Sequence, residues 1–225
     1  MQVINTTDTS TALTFVVSRI APLFSYMSER EYELVRRGDT EQSIHAAVAT
    51  LTWDATERAR WERSLILPSW SQRSLLQNEL LVSGMPFAAL PVESLYKPWS
   101  TSLGNDYGAQ RGLYLGDSAR HLQALYASLD LTVPVRFAAM PDHLSLLLEL
   151  LSLFVGSGNE RAARDVVADH LDWLDAYDAT LAARSEALAC APTLATHRRE
   201  ALGEGITHLR ALVYLANRSV HEVCR

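Results

Sequence analysis

The sequence predicts an all-α protein, on three observations. Apolar residues recur at spacings of three and four along most of the chain, and capping residues with Gly/Pro breaks divide them into roughly nine or ten helices. No stretch sustains the alternation of a half-buried strand, and no repeat of fixed period is visible. With 225 residues, of which 48% are hydrophobic and 20% charged, the chain can bury a sizeable core as one domain over 1–225.

In order, Thr9 or Ser10 caps a first helix with an apolar face of Leu13, Val16, Val17, Ile20, Leu23 and Phe24. Ser28 and Glu31 have capping-box spacing and open a second. A break at Gly38-Asp39-Thr40 precedes a stretch with Ile44, Ala47, Val48 and Leu51. Asp54 caps a helix from Ala55 to Ile66, which Pro68 stops, and Ser71 opens another carrying Leu75, Leu76, Leu80 and Leu81. The helical half 1–83 then gives way to an irregular connector, 84–116, holding five of the ten glycines and three of the eight prolines. A connector this long is a functional or hinge segment.

The second helical half, 117–225, opens with Asp117 as a cap, and its first helix buries Ala119, Leu122, Leu125 and Tyr126. Pro141-Asp142 starts the next, which runs to about Val155, is apolar nearly all round and is therefore central. Gly156-Ser157-Gly158 ends it. Ala163, Val167, His170, Leu174, Tyr177 and Leu181 mark the stretch 160–188, and a last helix spans about Thr193 to Val220.

Composition excludes several classes. A formal charge of −6 argues against general nucleic-acid binding and favours basic partners. Lys97 is the only lysine among 20 basic residues. Two cysteines cannot make a disulfide framework, which suits a reducing compartment. No secretory signal is seen, and the most apolar run, Leu144 to Val155, is broken by Glu149 and too short to span a bilayer, so a cytoplasmic protein without stable membrane insertion is expected.

There is no phosphate loop, no GxSxG elbow, no HExxH and no metal-ligand spacing of cysteines, so no catalytic residue, metal or cofactor is expected. Gly104-Asn105-Asp106-Tyr107-Gly108 reads as a turn. Asp142-His143 and Asp169-His170 admit an alternative, a helical metal-dependent phosphohydrolase. Against it, Asp142 suits a helix N-cap and His170 an apolar core stripe. Asp165, Asp169, Asp172 and Asp175 form an acidic band, either a solvated face or a draw for an arginine-containing peptide. Among tryptophans 53, 61, 70, 99 and 173, Trp99 sits in the connector and is the candidate to line a groove.

Four stretches in order resemble the TorD/DmsD/NarJ family of redox-enzyme maturation chaperones. Pro91-Val92-Glu93-Ser94-Leu95-Tyr96 is similar to its Pro-x-x-Ser-x-Tyr segment, and Gly116-Asp117-Ser118 through Tyr126 to Leu131 to its next helix and turn. Pro141-Asp142-His143-Leu144 with Leu148-Glu149-Leu150-Leu151 resembles its Pro-Asp-His-Leu and Leu-Glu-Phe-Leu signature, and His170-Leu171-Asp172-Trp173-Leu174 its His-x-x-Trp-Leu segment. The chain departs from the pattern at Gln77-Asn78-Glu79-Leu80-Leu81, at Met140, and at Asp130, where the family has glycine. The resemblance implies a cytoplasmic, non-catalytic chaperone, monomeric or a domain-swapped homodimer hinged at the connector. It would bind the twin-arginine signal peptide of the apo-form of a molybdenum-containing oxidoreductase subunit, or, in a NarJ-like variant, the N-terminal segment of a subunit that is not exported. It points to Pro91, Ser94, Tyr96, Asp142 and His143 as peptide-binding residues, beside Trp99.

Overall fold

The computed structural model describes residues 9–37, 40–51, 54–56, 66–102, 104, 106–192 and 194–224. The expected break at Gly38-Asp39, most of the helix expected after Asp54, and Trp53, Trp61, Asn105 and Thr193 lie outside them. The described residues build nine α-helices and no strand. The first half holds α1 (Thr9–Ile20), α2 (Glu29–Arg36), α3 (Thr40–Thr50) and α4 (Trp70–Leu80). The second holds α5 (Asp117–Ser128), α6 (Leu144–Gly156), α7 (Glu160–His170), α8 (Leu174–Ala189) and α9 (Thr196–Val223). No helix among the described residues is long and apolar enough to cross a membrane.

Local chemistry explains the boundaries. Ser28 and Glu31 close the expected capping box on α2. A second box was not foreseen: Ser69 and Gln72 cap α4, so Ser71 falls in the first turn instead of opening the helix. The start of α5 also differs. Gly116 is its N-cap, and the Asp117 carboxylate turns back to accept from Ser100 Oγ and the Thr101 amide, both at 2.9 Å. Those bonds hold its pKa below the ordinary carboxylate range. The stretch 160–188 is two helices, broken at Leu171–Trp173.

One hydrophobic core draws on both halves. Helix α1 packs on α6 and α3, while α9 runs along α8, α4, α1 and α7. The stripe read from the second half (Ala163, Val167, His170, Leu174, Tyr177, Leu181) is buried throughout. Helix α6 departs from expectation. It buries Leu144, Leu147, Leu148 and Leu151, yet Leu153 is 45% exposed and Glu149 faces water beside it, one turn apart. A helix apolar nearly all round is therefore covered on only part of its circumference.

Candidate functional site

Connector and α6 meet through two short backbone stretches. Val92 and His143 form an isolated antiparallel bridge, in which the Glu93 amide donates to Asp142 O at 3.1 Å and the Leu144 amide to Pro91 O at 2.8 Å. Side chains then lock it. Asp142 Oδ2 accepts from the Ser94 amide at 2.7 Å and makes a short hydrogen bond with Ser94 Oγ. Ser94 Oγ in turn accepts from the Gly116 amide at 3.3 Å, which ties in the start of α5. A serine and a carboxylate suit this place because one oxygen gathers an amide and a hydroxyl while the hydroxyl still accepts from a third group.

Asp142 is therefore not the helix cap. His143 is: its Nδ1 accepts from the Ser145 amide at 3.2 Å, and its ring lies 4.8 Å from Phe137. Burial, then the Arg136 charge, drive the His143 pKa down to about 3, so the imidazole is neutral and can accept. Burial raises the Asp142 pKa; the Ser94 bonds oppose this and the Glu93 charge adds to it. Asp142 Oδ1 is buried with no hydrogen-bond partner among the described residues.

A second layer lies beside the bridge, centred on Glu93, which is fully buried. Its Oε1 is 2.9 Å from Lys97 Nζ, and its Oε2 is 2.9 Å from His170 Nδ1. His170 Nε2 is 2.9 Å from Nδ1 of the exposed His121 on α5. Lys97 also reaches Asp172 Oδ1 at 2.6 Å and Asp169 O at 2.7 Å. Burial works against the ammonium, but Glu93 and Asp172 outweigh it and raise the Lys97 pKa. The only lysine in the chain thus pins the connector to the α7–α8 corner. Tyr96 closes the layer, stacked on Trp173 with centroids 5.1 Å apart and donating to Leu90 O at 3.0 Å.

The six residues singled out from sequence fall in two groups. Pro91, Ser94, Asp142 and His143 are buried and meet at the bridge. Tyr96 and Trp99 are half-buried. Trp99 donates from Nε1 to Tyr114 O at 2.9 Å, under the Arg120 guanidinium at 4.8 Å. Asp142 spends one oxygen on Ser94 and is 0% exposed. Sequence reasoning missed Glu93, Lys97 and His121. Glu93 carried a signal, as the one acid inside the Pro91–Tyr96 motif, and Lys97 carried another in being unique.

The metal-dependent arrangement needs Asp142, His143, Asp169 and His170 to converge. Asp142 and His143 face Ser94 and the Ser145 amide, while His170 faces Glu93 and His121. Among the described residues no three His, Cys, Asp or Glu gather so as to hold a metal ion. Asp165, Asp169, Asp172 and Asp175 are all exposed. Asp172 pairs with Lys97 and Asp175 accepts from Asn217 at 2.7 Å.

Residues 78–187, from α4 into α8, match the family model of the nitrate reductase delta subunit. No curated protein and no solved structure matches the chain. The matched segment contains the bridge, the Glu93 layer and all four motif stretches, so the residues that carry the family's pattern are those that fasten the connector to the second half. Over that segment the chain carries the pattern of the TorD/DmsD/NarJ family of molybdoenzyme maturation chaperones.

Proposed function

We propose that this protein is a cytoplasmic chaperone that holds the N-terminal twin-arginine segment of an apo-molybdoenzyme subunit until its cofactor is inserted. It binds without catalytic turnover. One observation carries the reading: four stretches scattered over 91–174 close into a single connected structure, through the Val92–His143 bridge, the Ser94–Asp142 bond, the Glu93–His170–His121 chain and the Tyr96–Trp173 stack. In this reading Pro91, Ser94, Asp142 and His143 set the connector, and Tyr96 and Trp99 hold its aromatic edge. The same connector is the hinge at which two copies would exchange halves.

Calorimetry with a synthetic twin-arginine peptide tests it. The protein binds the peptide, and Asp142→Asn with His143→Gln weakens binding while the fold is retained by circular dichroism. No heat of binding to any such peptide overturns the reading. A second reading, suggested by the nitrate reductase delta subunit family that the chain matches, is a client that is not exported. It predicts undiminished binding when both peptide arginines are replaced by glutamine.

A further inference from the structure

The exposed edge of α6, Glu149 and Leu153 with the buried Leu146 and Leu150 behind them, borders a groove that the bridge does not use. The chain 131–134 forms its other wall, and the cavity between them is about 190 Å³. Leu146, Leu150 and Leu153 line it from α6, with Leu131, Val133 and Pro134 opposite. Leu131 is 38% exposed, Leu153 45%, and Val135, just beyond the groove, 91%. Branched apolar side chains left this open to water on one face are a liability unless something covers them.

Two polar groups sit among these walls. Glu149 lines the groove, and its carboxylate has no hydrogen bond or ion pair with any described residue. The apolar surroundings raise its pKa, and Arg136 opposes this only from a distance. Arg136 itself is held by Glu31 at 3.0 Å and lies 5.1 Å over Phe137. Tyr126 also lines the groove. It is 5% exposed, and its Oη has no hydrogen-bond partner among the described residues. The groove therefore offers apolar walls, one carboxylate without a cation, and one buried phenol with an unused oxygen.

We propose that this groove seats the client's N-terminal segment, with apolar side chains between Leu131–Pro134 and Leu146–Leu153 and an arginine on Glu149. The proposal deepens the chaperone reading and rests on it. Charge complementarity selects the occupant. A guanidinium is planar, weakly hydrated and bidentate, so it can pair with Glu149 beside apolar walls at a lower desolvation cost than an ammonium. A leucine- or alanine-rich run next to that arginine covers the walls and removes their apolar area from water. The bridge lies at the first residues of α6 and the groove along its middle turns, so the connector clasp fixes the helix that carries the groove.

The probe is a synthetic peptide with two adjacent arginines before a leucine- and alanine-rich run, titrated into the full chain by calorimetry. Glu149→Gln is near-isosteric on an exposed stripe, and Leu153→Asp places a charge on the wall. Each should raise Kd about tenfold, the loss of one charge-assisted pair or of one apolar contact. Replacing the peptide arginines by glutamine should cost the wild type about as much, and cost Glu149→Gln nothing further. Asp175→Asn, in the exposed acidic band, should bind as the wild type does. Peptide binding unchanged in Glu149→Gln and Leu153→Asp overturns the groove and leaves the chaperone reading standing. So does a loss of affinity confined to Asp175→Asn, or a change in sedimentation of Leu153→Asp at unaltered affinity, which would make the stripe a contact between copies. No binding of the peptide by the wild type overturns both.

Discussion

Two regions of α6 are built on opposite principles. Its N-terminal end is closed: Asp142 is 0% exposed, His143 5%, and their side chains are committed to Ser94 and to the Ser145 amide. Its middle is open: Glu149 and Leu153 face water, and the carboxylate has no partner among the described residues. Both regions lie in the stretch whose signature marks the family. A buried carboxylate bonded through one oxygen holds structure, while the exposed carboxylate between leucines is, on the proposed reading, the one that receives the client's arginine. The difference predicts that stability and binding separate along one helix.

The largest expected effect is on stability at the closed end. Asp142→Ala removes the acceptor for the Ser94 amide and hydroxyl and leaves both buried donors unsatisfied, which costs about 3 kcal/mol. Leu153→Ala at the open stretch should cost under about 1 kcal/mol, because the side chain is 45% exposed. Urea denaturation of the two variants checks the contrast. Equal losses would mean that the clasp is no more structural than the groove.

An intermediate effect is pH-dependent. The buried imidazole of His143 titrates near 3 in place of the ordinary 6.5. A base with a depressed pKa stabilises the fold above its unfolded value, and that contribution is lost as pH falls from 6.5 toward 3. Asp142 acts the other way, since its raised pKa favours the fold at low pH and the benefit fades as pH rises above the ordinary 3.8. The net acid response is therefore weaker than that of His143 alone. Replacing His143 by glutamine keeps an acceptor for the Ser145 amide and removes the titration. Thermal melts from pH 7 to 4 should show a shallower decline for that variant than for the wild type; parallel declines would place the acid-sensitive group elsewhere.

How much of this was legible in the sequence depended on the range of the interaction. Helices follow from local periodicity, and the capping box at Ser28–Glu31 is written in four residues. The family motifs located the bridge because Pro91 to Tyr96 and Pro141 to Leu144 are short, dense patterns. Their use was not legible. Asp142 looked like a cap, and its real partner, Ser94, is 48 residues away. Lys97 looked like an oddity of composition until Asp172 and Glu93 were brought to it by folding. The stripe of α6 was hidden for a related reason: a nearly all-apolar helix reads as central, and only the packing of α1 and α7 against it shows which side is left bare.

The smallest effect lies at the edge of the open region, where α5 hands over to the groove wall. Asp130 has φ +54, in the left-handed region, and stands where the family carries glycine. Its neighbour Leu131 donates from its amide to Tyr126 O at 2.9 Å, so this turn ends α5 and sets the position of the 131–134 wall. Aspartate tolerates the left-handed conformation better than most residues but less well than glycine. Asp130→Gly should therefore relieve strain and raise stability by about 0.5 kcal/mol, partly offset by the greater freedom of glycine in the unfolded chain. It should leave the clasp untouched, because no residue of the bridge depends on that turn for a hydrogen bond. A thermal melt reads the gain. A loss of more than about 1 kcal/mol would show that the aspartate side chain holds the turn, and that the groove wall is more tightly specified than its exposure suggests.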